Sequence, residues 1–289
     1  MQTVLKSAKK SVTIDSEGPL VIIGEKINPT GRKKMAAALQ SGDFEYIKNL
    51  AESQVAAGAE VLDVNVGVPG LDDVALMEQM VKYIIQWVDV PICLDSSNPA
   101  ALAAGLAVVP GRPLVNSVSG EEKSLTDVLP LVKDRGAAVI GLIMDDNGIP
   151  ATPTDRLAVA EKILERAVKI GIPKEDVIID PLVMSVGADS NAGRVTLETI
   201  HLVHEKLNAN INLGASNVSF GMPDRPTINM AFLALAMGHG ASCAITDPIK
   251  MAGLIRASDL LLGRDEFGMR YIDAYRKAQA REAAQASSK

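Results

Sequence analysis

At 289 residues the chain is long for one compact domain but suits a single α/β barrel, which takes about 250. Hydrophobic residues make up 47% and aromatics only 3%, so a sizeable core must be aliphatic. A net charge of -6 argues against a nucleic-acid partner, which needs clustered Lys and Arg and stacking rings.

Taken in chain order, residues 1–20 precede the first strong apolar run, and SVTIDSEGPLVI reads as a hairpin that plugs the base of a barrel. The leading MQTVLKSAKKSVTIDSEG has no signal-peptide hydrophobic region, and no apolar run nears the roughly 18 residues of a membrane span. A cytoplasmic protein without a membrane partner is expected. Eight runs then read as strands: VIIGEKI (21–27), EVLDVNVG (60–67), PICLDSS (91–97), PLVNSVS (113–119), AAVIGLIM (137–144), VIIDPLVM (177–184), INLGASNVSF (211–220) and SCAITDP (242–248). Their near-continuous hydrophobicity marks a parallel sheet buried on both faces. Between them, segments such as 72–85 and 154–167 return apolar residues every three or four positions, the period of a helix packed on one side. Asn98-Pro99 supplies a helix start, and Gly136 and Gly171 supply helix stops.

Strand then helix, repeated eight times, predicts an α/β fold of one domain, a (β/α)8 TIM barrel; an open doubly wound sheet is the rival. The expected organisation is an N-terminal extension over 1–20, the barrel over 21–265, and a C-terminal helix and Ala-rich tail over 266–289.

The C-terminal ends of the predicted strands share a composition: Glu25 and Asn28, Asp63 and Asn65, Asp95, Asn116, Asp180, Asn217 and Asp247. Barrel enzymes carry their chemistry on that face because the βα loops converge there on one cavity. Carboxylates and carboxamides dominate, with Lys26 the one lysine nearby. A metal site is not expected, since the three histidines, His201, His204 and His239, lie away from the ring. Cys93 and Cys243, each inside an apolar run, read as small core residues. No GxxxxGK[ST], GxGxxG after a strand, or GxSxG occurs. A ring of Asp and Asn suits a neutral, flat heterocycle rich in N–H donors, because a carboxylate accepts two parallel bonds from an amidine-like edge while a carboxamide donates and accepts. Pterins carry such an edge.

The segments IIGEKIN (22–28), LDVNVG (62–67), CLDSSN (93–98), VNSVSG (115–120), IDPLV (179–183) and GASNVSFGMPDRP (214–226) together resemble the pterin-binding methyltransferases that pass a methyl group between tetrahydrofolate and a corrinoid. The resemblance runs from about Val21 to Leu262 and extends to the folate module of cobalamin-dependent methionine synthase. It implies that Asp95, Asn116 and Asp180 anchor the pterin, with Asp180 a bidentate acceptor, and that Gly214 and Ser216 approach the same ring. It implies that Asn217 is catalytic, hydrogen-bonding N5 of the folate, with Glu25, Asn28, Asp63, Asn65 and Arg225 as secondary candidates. Tetrahydrofolate or methyltetrahydrofolate is then a substrate. The corrinoid signature DxHxxG is absent, so the corrinoid (cobalamin) is expected on a partner protein or free. The family also implies a homodimer.

Structural alternatives accompany each residue. Asp180 before Pro181 suits a turn, Asn116, Asn217 and Asp95 suit helix caps, Asp247-Pro248 suits a helix start, and Arg225 suits bracing of its loop. Met222 and Met230 read as packing residues. Among functions, a dihydropteroate synthase-like enzyme shares the pocket but would carry a Lys, Ser and Arg segment where GASNVSFGMPDRP stands. A Schiff-base aldolase would rest on Lys26, whose neighbour Glu25 stabilises the charged amine. A non-catalytic folate-binding module would keep the grip and not need the N5 donor.

Overall fold

The computed structural model describes residues 1–287; positions 288 and 289 of the predicted tail lie outside the described residues. The first two strands, β1 (Gln2–Lys6) and β2 (Ser11–Asp15), pair as an antiparallel hairpin. Seven parallel strands follow: β3 (Val21–Ile27), β4 (Val61–Val64), β5 (Ile92–Asp95), β6 (Leu114–Ser119), β7 (Ala138–Leu142), β8 (Val177–Asp180) and β9 (Cys243–Thr246). They lie side by side in the order β8-β7-β6-β5-β4-β3-β9.

The run at 211–220 departs from expectation. It is not one strand: Ile211 bridges Ile179 of β8, Gly214 bridges Ile245 of β9, and Ala215–Ser219 winds into a 3-10 turn. Backbone bonds from Ile179 N to Asn210 O and from Ile245 N to Leu213 O still close the barrel wall across this segment. The curled sheet is therefore a closed α/β barrel whose seventh stave is irregular.

The helices are α1 (Lys33–Ser41), α2 (Phe44–Ala56), α3 (Asp73–Trp87), α4 (Pro99–Val108), α5 (Glu122–Arg135), α6 (Pro153–Lys169), α7 (Ala192–Leu207), α8 (Arg225–Gly238), α9 (Pro248–Leu261) and α10 (Met269–Ser287). Local chemistry sets several of their ends. The Asn98 side chain accepts from Ala100 N at 3.0 Å and Pro99 opens α4; Asp247 accepts from Ile249 N at 3.1 Å and Pro248 opens α9. Gly136 ends α5 in the left-handed region, at φ 64°.

Alternation along each strand divides the core in two. Ile22, Leu62, Val64, Leu94, Val115, Val139 and Ile179 face the helices, while Ile23, Val61, Cys93, Leu114, Ile140, Ile178 and Cys243 fill the barrel interior. Leu5 and Ile14 of the hairpin join that interior cluster, closing the end where the strands begin. Gly111, at φ 69°, passes so close to the hairpin that a Cβ would sit 2.3 Å from Lys6 O. The core is aliphatic, with Phe232 its one buried phenylalanine among the described residues.

Candidate functional site

The interior layer explains the polar ring. A side chain two residues further along a strand points to the same face, one step nearer the C-terminal mouth. From Ile23 this gives Glu25; from Val61, Asp63 and then Asn65; from Cys93, Asp95; from Leu114, Asn116; from Ile178, Asp180. The apolar plug thus carries a polar layer directly above it.

Four of these side chains, joined by Asn28, are linked by hydrogen bonds. The amides of Asn65 and Asn28 both donate to Asp95 Oδ2, at 3.0 and 3.4 Å. Asn116, the register partner of Asp95 on the next strand, donates through Nδ2 to Asp63 Oδ1 at 3.2 Å. That bond fixes which way the amide points and leaves Asn116 Oδ1 without a donor among the described residues. Burial, then the neighbouring charges of Asp95 and Glu25, pushes the Asp63 carboxyl well above the ordinary range, against the pull of Asn116 and Cys93. Asp95 is also raised by burial, with hydrogen bonds from Asn65 and Asp63 opposing. Burial thus drives both carboxyls of this neighbouring pair toward their neutral forms.

Asp180 is held differently. Leu182 N donates to its Oδ1 at 2.8 Å and Asn212 Nδ2 to its Oδ2 at 2.7 Å, and the nearby Gly214 N–H also favours the charged form. Burial dominates even so and raises its pKa to about 6. The turn-forming role is real, since the bond to Leu182 is an Asx turn that supports a leucine at φ 59°. With about four acceptor sites on a carboxylate and donors from Leu182 and Asn212 engaged, acceptor capacity remains open. Buried Arg156 secures this loop by donating to the carbonyls of Pro150 and Pro181, at 3.0 and 2.9 Å.

The segment 214–225 forms the rim. A Cβ on Gly214 would crowd Asn217 Nδ2 at 3.0 Å, so the bare backbone there leaves that side chain its room. Asn217 is exposed, and its side-chain amide has no protein hydrogen bond among the described residues. Ser216 Oγ donates to Glu25 Oε2 at 2.8 Å, and Arg32 pairs with Glu25 Oε1 at 2.9 Å. Arg225 braces the loop: it donates to Ser216 O at 2.8 Å and Ser219 Oγ at 3.0 Å, and stacks 4.4 Å from the Phe220 ring centre. Lys26 is committed to Asp247, at 2.8 Å, which is not the environment of a nucleophilic amine.

The helix-cap alternatives separate cleanly. Asn98 caps α4 rather than Asp95, the N-cap of α5 is Glu121 rather than Asn116, and that of α8 is Asp224 rather than Asn217. Two residues absent from the sequence reading belong here, Asn212 and Arg156. Asn212 sits in an otherwise apolar run, a buried polar signal that needed a partner. A cleft of about 380 Å³ beside α6, lined by Asp145, Ile149, Asp155 and Lys162, contains none of the ring residues.

A family model described as pterin binding enzyme matches residues 24–247, the whole span that carries the ring. The chain belongs to the pterin-binding enzyme family. This family member is 31% identical over 270 residues to a methylcorrinoid:tetrahydrofolate methyltransferase of Eubacterium limosum, covering 90% of this chain and 97% of that one. It is 29% identical over 265 residues to methionine synthase of Mycobacterium tuberculosis, covering 87% of this chain but 22% of that longer protein. Among solved structures it is similar to Yersinia pestis DHPS with a pterine-sulfa conjugate, at TM-score 0.67, 19% identity and 90% and 98% coverage. It is likewise similar to 7,8-dihydropteroate synthase from Vibrio fischeri, at TM-score 0.66, 17% identity and 91% and 99% coverage. At such identities these structures establish the pterin-binding barrel fold. No described helix is long and apolar enough to cross a membrane.

Proposed function

We propose that the protein is a methyltransferase that moves a methyl group between N5 of tetrahydrofolate and the cobalt of a corrinoid. Similarity along nearly the full length of a methylcorrinoid:tetrahydrofolate methyltransferase supports the reaction class. The single observation that carries the residue assignment is the unpartnered amide of Asn217, held at the rim of the same mouth as Asp95, Asn116 and Asp180.

In this reading Asp180, with its remaining acceptor site, takes an N–H of the pyrimidine edge. Asn116 Oδ1, aimed by Asp63, takes another donor of the pterin, and Asp95 is steadied by Asn28 and Asn65. The backbone at Gly214 allows the ring to approach closely. The methyl sits on a tertiary amine, which leaves poorly. The C–N bond breaks with its electron pair remaining on N5, which takes up a proton from solvent to become the N–H of tetrahydrofolate, while the methyl carbon accepts a pair from the reduced cobalt of the co-substrate. The Asn217 amide donates to N5 as charge accumulates there, and a hydrogen bond that strengthens along the reaction coordinate lowers the barrier. The reverse direction uses the same contacts. Ser216, locked to Glu25, and Arg225, locked to Ser216 O, position Asn217. The corrinoid, whose signature this sequence lacks, arrives on a partner protein or free, through the open mouth.

The test is direct. Purified protein mixed with methyltetrahydrofolate and reduced cob(I)alamin should produce methylcobalamin absorbance, and methylcobalamin with tetrahydrofolate should consume it. Binding of the folate with no turnover in either direction would leave only a folate-binding module; release of dihydropteroate from a pterin and p-aminobenzoate would support the synthase.

A further inference from the structure

Positive charge is distributed unevenly around the mouth. The loops after β6 and β7 carry Glu121, Glu122, Asp145 and Asp146, and the cations nearest them are paired: Lys123 with Asp127, Lys162 and Arg166 with Glu122. After β8, Arg194 pairs with Glu198. Across the barrel, the segments that follow the adjacent strands β3 and β9 bring out Lys33, Lys34 and Lys250. All three are exposed and, among the described residues, have no acidic partner. Arg32 stands beside the first two, half-buried and joined to Glu25 through one nitrogen at 2.9 Å.

The helix end at Lys33 makes this clustering costly. A helix N-terminus carries partial positive charge and is stabilised by acids, not by cations. Yet α1 opens with two lysines, has no acid in its first turn, and receives no side-chain cap from Arg32. A local preference broken without a structural return marks residues kept for function.

The folate itself supplies the missing negative charge. With Asp180 on the pyrimidine edge and Asn217 at N5, the arm of tetrahydrofolate leaves from C6, the ring atom bonded to N5. It therefore departs on the Asn217 side, away from Asp180. From there a chain of contacts leads to the lysines: Ser216 bonds Glu25, and Glu25 bonds Arg32. Gly214 bridges Ile245 of β9, which brings the Lys250 segment into the same quarter of the mouth. Arg225, the other cation of that rim, is already engaged by Ser216 O, Ser219 Oγ and the Phe220 ring. The arm ends in glutamate, and each further γ-linked glutamate adds one carboxylate.

We infer that Lys33, Lys34 and Lys250 form a subsite for the carboxylates of the folate arm, which makes γ-linked polyglutamates of tetrahydrofolate the preferred form of the substrate. The inference rests on the folate reading above for the orientation of the pterin. Exposed ion pairs are individually weak and screened by salt, so the subsite adds affinity with each carboxylate and imposes no single pose on the arm.

Titration of the full chain with tetrahydrofolate and with its triglutamate tests it. The triglutamate should bind about tenfold tighter at low ionic strength, and the two should converge at about 1 M salt, where the Debye length is about 3 Å. Lys33→Glu/Lys34→Glu should abolish the preference and weaken the monoglutamate only a few-fold. Its melting curve should hold, since acids in the first turn of α1 suit the helix dipole. Lys250→Glu should remove part of the preference, and Lys123→Glu, across the mouth, none of it. Equal affinity for the two folates, a preference that persists in the double variant, or one that Lys123→Glu removes equally would each overturn the subsite while leaving the folate reading in place. Failure of both folates to bind would remove that reading and the subsite with it.

Discussion

Asn116 donates its side-chain N–H to Asp63, 3.2 Å away, and thereby leaves its own carbonyl oxygen without a donor among the described residues. Asp63 is almost fully buried and driven toward its neutral form, so it works as a hydrogen-bonded spacer between Asn116 and Asp95. A carboxamide has the same shape, accepts where Asp63 accepts and donates toward Asp95. Asp63→Asn should therefore keep folate affinity within a few-fold and leave stability at neutral pH unchanged or improved. Asp63→Ala releases Asn116 and should weaken folate binding roughly tenfold, the usual worth of one oriented hydrogen bond. Calorimetric titration of both variants separates the outcomes; equal losses would show that Asp63 acts as a charge.

Asn217 is exposed, and its side chain hydrogen-bonds nothing among the described residues. Asn217→Ala should leave the fold and the folate Kd nearly intact while slowing methyl transfer on the order of 10²-fold. Single-turnover absorbance measurements at saturating folate read the step itself. A Kd that rose as much as the rate fell would assign Asn217 to binding alone.

Asp180 makes two opposite claims on pH. Its folded pKa of about 6 lies above the ordinary 3.8, so between these values the folded chain keeps a proton that the unfolded chain has released. Its contribution to stability is therefore greatest below pH 4 and is lost as pH rises toward 6, by an upper bound of about 3 kcal/mol. Folate binding moves the other way, because acceptance of ring N–H donors requires the ionised carboxylate. Affinity should fall as pH drops through about 6. Asp180→Asn should flatten the stability slope and weaken binding above about pH 6, with the difference from the wild type closing toward pH 4; thermal melts and titrations from pH 4 to 8 measure both.

Asn212 is fully buried and supports one oxygen of Asp180 at 2.7 Å. Asn212→Ala strips a donor from a buried carboxylate and should lower stability at neutral pH by about 1–3 kcal/mol. It should also push the Asp180 pKa further up, which shifts the pH at which folate affinity is lost to higher values. Loss of stability without that shift would confine Asn212 to packing.

Most of the wall was legible because β-branched runs at 21–27, 61–64, 92–95, 114–119, 138–142, 177–180 and 243–246 have no helical period. The ring was legible because Asp63, Asp95, Asn116 and Asp180 interrupt those runs where hydrophobicity should continue. The stretch 211–220 was not, since its composition suits a strand while closure needs only two bridges before the chain turns at Gly214. Asn212 was hidden by its apolar neighbours, and nothing in sequence says which buried carboxylate it will meet. Arg156 was hidden for the opposite reason: a charge on an amphipathic helix reads as solvent-facing, and only the fold brings it under Pro181.

The irregular stave has a kinetic corollary. The stretch 210–214 is joined to its neighbours by isolated bridges rather than a continuous ladder, and Asn212 within it also donates to Asp180. A ligand gripped by Asp180 would therefore clamp the seam as well as fill the mouth. Deuterium uptake at 211–217 in the empty protein should outpace that of β4 or β5 and slow sharply when folate is added, so the weakest join of the wall becomes a reporter of occupancy.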